Sequence, residues 1–136
     1  MKKELVCIVC PNGCRLTAVQ DDADPARIAV TGNACPRGAA FAAAELTHPV
    51  RSLTTTVRTA FAPHPVLPVR TDGDIPKEQI FAAMRALARI TVQTPVRCGD
   101  VIVPDLLGTG VAVIATQTLE PEDEGGDGHV ETVQGI

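Results

Sequence analysis

The segment CIVCPNGC, from Cys7 to Cys14, places three cysteines within eight residues of a chain that has five in all. They read C-x2-C-x3-C, and Cys35 follows after 20 intervening residues in the phrase GNACPRG. A thiolate is stabilised by nearby positive charge, so four of them gathered at one centre call for a metal ion or a cluster. Gly13 suits the turn, because it can take a left-handed backbone and let neighbouring N–H groups point at sulfur. Structural zinc sites usually draw their ligands from two paired knuckles. Here three ligands crowd one loop and a fourth arrives from afar with proline directly after it, the habit of ferredoxin-type sites. The spacing therefore points to a 4Fe-4S cluster held by Cys7, Cys10, Cys14 and Cys35. Zinc and unligated thiols are the alternatives.

Other reactive residue types fit plainer roles. Cys98, alone in VRCGDV, reads as a small residue facing a core. His48 and His64 each precede a proline and read as loop residues, since four thiols already fill a tetrahedral shell. The phrase LGTGV at 107–111 lacks the Lys-Ser/Thr of a phosphate loop and reads as a tight turn. No base or carboxylate is placed to activate the hydroxyls of Thr54 to Thr56. A thiol-redox enzyme using Cys7 and Cys10 is disfavoured, because such motifs sit at a strand–helix junction and this one lies beside a strand and a turn.

Composition narrows the classes. The chain has 136 residues, 45% of them hydrophobic and only 2% aromatic, with no Trp or Tyr. Its core must come from Val, Ile, Leu and Ala, and it lacks the stacking platform of single-stranded nucleic-acid binders. A net charge of −4 without a basic run argues against a phosphate-backbone partner. No apolar run reaches membrane-spanning length, and the start MKKELVCIVC is too short in its apolar part for a signal peptide. The expected location is the cytoplasm, where thiols stay reduced.

The elements that must position the cysteines follow from pattern. ELVCIV, RLTAV and RIAVTG read as strands, GAAFAAAELTHP as an Ala-rich helix ending before Pro49, and RSLTTTVRT as extended. After a proline-rich connection, APHPVLPVRT reads as an edge strand. IPKEQIFAAMRALARI reads as a helix with Ile80, Met84, Leu87 and Ala88 on one face. VRCGDVIV and GVAVIAT read as further strands. The expected fold class is α+β: a Cys-rich unit over residues 1–62, then at 63–117 a small antiparallel sheet with one covering helix. Residues 118–136 are acidic, Gly-rich and expected to be disordered, His129 among them.

The pattern C-x2-C-x3-C followed by C-x-K/R-G resembles the N-terminal iron–sulfur segment of molybdopterin oxidoreductases. The resemblance implies that Cys7, Cys10, Cys14 and Cys35 are cluster ligands and sets Arg37 where that family often has a lysine beside the cluster. Arg37 then tunes a cluster by its charge, or it is a solvated surface arginine. The likeness covers about the first 40 residues, and the chain is too short to enclose a molybdenum cofactor. Over nearly its whole length the chain also resembles domain-of-unknown-function family 1667. The carrying phrases are CIVCPNGCRLTAV, TGNACPRG, RSLTTTVR, IPKEQIF and GTGVAVIAT. That resemblance implies a small companion of FAD-dependent oxidoreductases similar to anaerobic glycerol-3-phosphate dehydrogenase and of a pyridine-nucleotide reductase. The leading expectation is an electron-transfer protein or small iron–sulfur subunit without catalysis of its own. The alternative is a zinc-stabilised structural module.

Overall fold

The computed structural model describes residues 1–120. The expected disorder of the tail therefore falls, from residue 121 and including His129, outside the described residues. Its first residues do not behave as the acidic composition suggests. Leu119 is buried and bridges Val96, so the ordered chain runs past Thr118.

The chain divides into two compact units, Met1–Ser52 with Asp74–Ile80, and Leu53–Gly73 with Phe81–Ile136. The first unit opens with β1 (Lys2–Val6), β2 (Arg15–Gln20) and β3 (Ile28–Thr31), paired in that order as an antiparallel meander. Strand alternation in β2 turns Leu16 and Ala18 inward, where they join Cys7 and Ala42 in a small core. α1 (Pro36–Thr47) packs on β2 and β3 and completes that core with Phe41 and Leu46. Pro36 starts α1 because its fixed φ suits the first helical turn and its missing N–H has no partner there in any case. The close approach of helix to sheet needs Gly38. A Cβ there would stand 3.0 Å from the Cβ of Asn33 and 3.6 Å from a methyl of Leu16.

β4 (Val50–Arg51) then follows, and its partner β7 (Ile75–Pro76) returns much later in sequence. An ion-pair group ties these pieces to α1. The Glu45 carboxylate accepts from both terminal nitrogens of Arg51, at 2.8 and 2.9 Å, and Lys77 Nζ lies 3.5 Å away. The two arginine bonds, ahead of the opposing effect of burial, hold the Glu45 carboxyl below the ordinary carboxylate range.

The second unit is built on β5 (Thr54–Thr59), β6 (Val66–Thr71), β8 (Thr91–Val92), β9 (Val101–Val103) and β10 (Val113–Ala115). Their order in the sheet is β8-β5-β6-β10-β9. All pairs are antiparallel except β5 with β8. A parallel pair requires a crossover, and α2 (Ile80–Leu87) lies within it, preceded by a single 3₁₀ turn at Lys77–Gln79. Val57, Leu67, Val69, Val113 and Ala115 are buried along the strands, an aliphatic core as the composition requires.

Four expectations change. The boundary at residue 62 does not match the units, because β5 pairs with β6 and residues 74–80 return to the first unit. β6 is central and not an edge, despite Pro68. The Pro68 carbonyl accepts from Thr116 N–H at 3.0 Å, just past the end of β10, so the missing donor falls where that ladder has already stopped. In α2 the buried residues are Ala83 and Leu87, whereas Met84 and Ala88 are exposed. Cys98 is exposed and does not face a core; its backbone N–H bonds the Thr118 hydroxyl at 3.0 Å. The LGTGV phrase is a turn between β9 and β10, with Gly108 and Gly110 at positive φ and the Thr109 hydroxyl donating to the Leu106 carbonyl.

Candidate functional site

The cysteine loop grows directly out of the β1–β2 hairpin. The register that sets Val6 opposite Arg15 continues for one more pair, in which Cys7 N–H donates to the Cys14 carbonyl at 2.8 Å. That bond closes the loop at its neck and holds the first and third cysteines side by side. Gly13 takes φ 64°, the left-handed turn that returns the chain to β2. Alternation turns Cys7 inward, where it is 6% exposed, while Cys10 and Cys14 are half-buried.

Cys35 comes from the other side of the unit, at the junction of β3 and α1. Gly32 makes this return possible. Its φ is 88°, and a Cβ there would lie 2.1 Å from the Arg15 carbonyl oxygen. Asn33 Nδ2 then donates to the Cys35 carbonyl at 3.1 Å. Cys35 occupies the N-cap position of α1 in an extended conformation. Its thiol forms no close capping bond, yet the helix-start N–H groups act on it. The Gly38 N–H first, then the Arg37 N–H and the Arg37 side chain, lower the thiol below its ordinary range.

The four cysteines line one cavity of about 180 Å³, together with Val9, Asn12, Ala34, Arg37 and Gly38. Asn12 Nδ2 donates to the Cys14 sulfur at 3.1 Å. Chemically the wall is a set of thiols, with a side-chain amide directed at Cys14 and helix-start N–H groups and one guanidinium directed at Cys35. Among the described residues, no three His, Cys, Asp or Glu side chains are gathered tightly enough to hold a single metal ion.

The remaining candidates lie elsewhere in their units. His48 caps the C-terminal end of α1, beside a cavity of about 290 Å³ lined also by Thr47, Pro49, Val50, Pro76 and Glu78. That larger cavity contains no thiol and no cluster of ligand side chains. His64 sits in the turn between β5 and β6, and Cys98 in the loop before β9. Sequence reasoning missed Asn12 as a donor to sulfur and missed Cys35 as a helix cap. The second was readable, since Pro36 marks a first helical position.

A family model described as "Protein of unknown function (DUF1667)" matches residues 36–117. The matched stretch begins directly after Cys35, so the segment carrying the four cysteines precedes it. No curated protein matches the chain. Among solved structures, the NMR structure of the Clostridium perfringens protein CPE0013 is similar, at 23% identity and a TM-score of 0.50. The likeness covers 60% of this chain and 95% of that one, and it concerns the fold alone.

Proposed function

The chain belongs to the DUF1667 family, whose match covers more than half of its length, and on that premise we propose that its first unit is an electron-transfer site. In this reading Cys7, Cys10, Cys14 and Cys35 hold a 4Fe-4S cluster. The observation that carries it is that all four thiols, brought from two separate stretches of the chain, line one cavity. Zinc draws all its thiolates to one centre at about 2.3 Å. A four-iron cluster spreads them over four separate irons, so they must line a space. When bound, such a cluster accepts and releases one electron at a time.

The chain's own residues supply the setting. Buried Cys7 anchors the loop in the core and keeps water from one side of the cavity. Asn12 and the helix-start N–H groups offset the negative charge of the sulfurs, and Arg37 adds a full positive charge beside Cys35. Substrate chemistry falls to a partner, a FAD-dependent dehydrogenase resembling anaerobic glycerol-3-phosphate dehydrogenase, or a pyridine-nucleotide reductase. The flavin of such a partner gives up two electrons, one to the cluster of each of two copies of this chain. The setting proposed is cytoplasmic, where the thiols stay reduced.

Two measurements test this. Protein purified anaerobically is expected to be brown, with iron and acid-labile sulfide at near four of each per chain; a colourless protein with one zinc replaces the cluster by a structural metal. Mixed in stopped flow with the flavoenzyme and its substrate, the visible absorption of the chain is expected to bleach as the flavin is reoxidised. A cluster that stays oxidised while the flavin is reduced overturns the electron-transfer role.

A further inference from the structure

The cysteine loop carries an exposed apolar tip. Val6, Ile8 and Val9 are 56, 61 and 43% exposed, three large hydrophobic residues within four positions. Cys7 turns inward between Val6 and Ile8, so alternation turns those two outward. Geometry asks only that they face water, and a polar side chain meets that need with less exposed apolar surface. Two arginines bracket the tip. Arg15 stands directly opposite Val6 in the β1–β2 register, and Arg37 shares a cavity wall with Val9. Both are exposed, and among the described residues neither forms a salt bridge. Glu4, two residues from Val6 along β1, faces Thr17 and is not bonded to Arg15.

Resting on the redox reading above, we propose that Val6, Ile8 and Val9 with Arg15 and Arg37 form the docking surface for the FAD-dependent partner, which meets it with an apolar patch edged by carboxylates. The charge pattern selects that chemistry. The chain is acidic overall, at −4, yet among the described residues it sets two arginines without a carboxylate partner beside its exposed aliphatic tip. An uncharged surface would leave the Arg15 guanidinium desolvated without a counter-charge, and a basic one would be repelled. A nucleic-acid backbone would answer the arginines but offers nothing to three aliphatic side chains. An apolar centre with arginine at its edge is the composition of protein interface centres. Continuity with the cysteine cavity places the same contact where an electron would cross.

The test is equilibrium binding of the full chain, prepared anaerobically with its metal, to the purified flavoenzyme, run beside the bleaching assay. Ile8→Asp and Arg15→Glu are each expected to weaken binding about tenfold or more with metal content unchanged, and Ile8→Leu to bind as the parent does. Raising the salt concentration is expected to weaken the parent complex and to affect Arg15→Glu far less. If Ile8→Asp loses its metal, Arg15→Glu and the salt response decide. Parent chain that fails to bind, or binding indifferent to Arg15→Glu and salt, overturns the docking surface even where bleaching proceeds. Tip-dependent binding with a cluster that never bleaches keeps the surface and removes the electron-transfer reading instead.

Discussion

Glu45→Gln isolates the ion-pair group that ties α1 to β4 and to the turn after β7. The Glu45 side chain is 8% exposed, and both of its oxygens are engaged by Arg51. Removing one partner of a fully buried pair costs about 3–5 kcal/mol. Arg51 and Lys77 are 27 and 53% exposed, so water reaches the cations left behind, and glutamine still accepts one bond. The expected loss is therefore about 2 kcal/mol at neutral pH. Because the folded carboxyl is held below its unfolded value, the charged pair stabilises the unit above about pH 4.3. That contribution is lost as pH falls through the folded value. The parent and the variant should thus differ by about 1–2 M in urea midpoint at pH 7, the gap narrowing as pH falls below the unfolded value. With no Trp or Tyr in the chain, amide signals of α1 and β4 are the probe, and comparing the two proteins at each pH cancels the acid response of the thiols. A gap of the same size at pH 3 as at pH 7 would refute the reasoning, since it would make the effect one of shape and not of charge.

Single replacement of Cys7, Cys10, Cys14 or Cys35 by Ser is expected to remove or badly weaken metal binding, and Cys98→Ser to leave it intact; metal analysis of the anaerobic proteins reads this directly. Gly32→Ala is expected to cost more than Gly38→Ala in thermal stability. The first drives a Cβ into a backbone oxygen, and the second meets only contacts that yield by tenths of an ångström, at about 1–2 kcal/mol. In metal-free reduced protein at pH 7, iodoacetamide is expected to label Cys35 before the more exposed Cys98, because its lowered thiol holds more thiolate. Equal rates at pH 7 would contradict that order. Leu87→Ala should cost about 2–4 kcal/mol and Phe81→Ala, at a position 76% exposed, almost nothing.

Much of the first unit is legible in the chain, because its information is local. Alternation in RLTAVQ marks β2, the cysteine spacing marks the loop, and the alanine run marks α1. The aliphatic makeup of the core follows from a composition with almost no aromatics. What the sequence could not convey depends on partners distant along the chain. Pro68 signals an edge, yet β6 is central, because only the finished sheet shows that β10 ends where the missing donor would have been needed. The spacing of Ile80, Met84, Leu87 and Ala88 allows one helix face, but neighbouring faces differ by a single residue's rotation. Packing chose the one with Ala83 and Leu87. The division into units is interleaved, since β7 pairs with β4 across more than twenty residues of the other unit, and no local signal reports such a return. The cysteine spacing by itself specifies four thiols of one kind. Tertiary structure alone makes them different, with Cys7 buried in a core, Cys14 receiving Asn12, and Cys35 at a helix start beside Arg37. The reason is physical: a thiol's charge is set by the dipoles and water around it, and those arrive only with the fold.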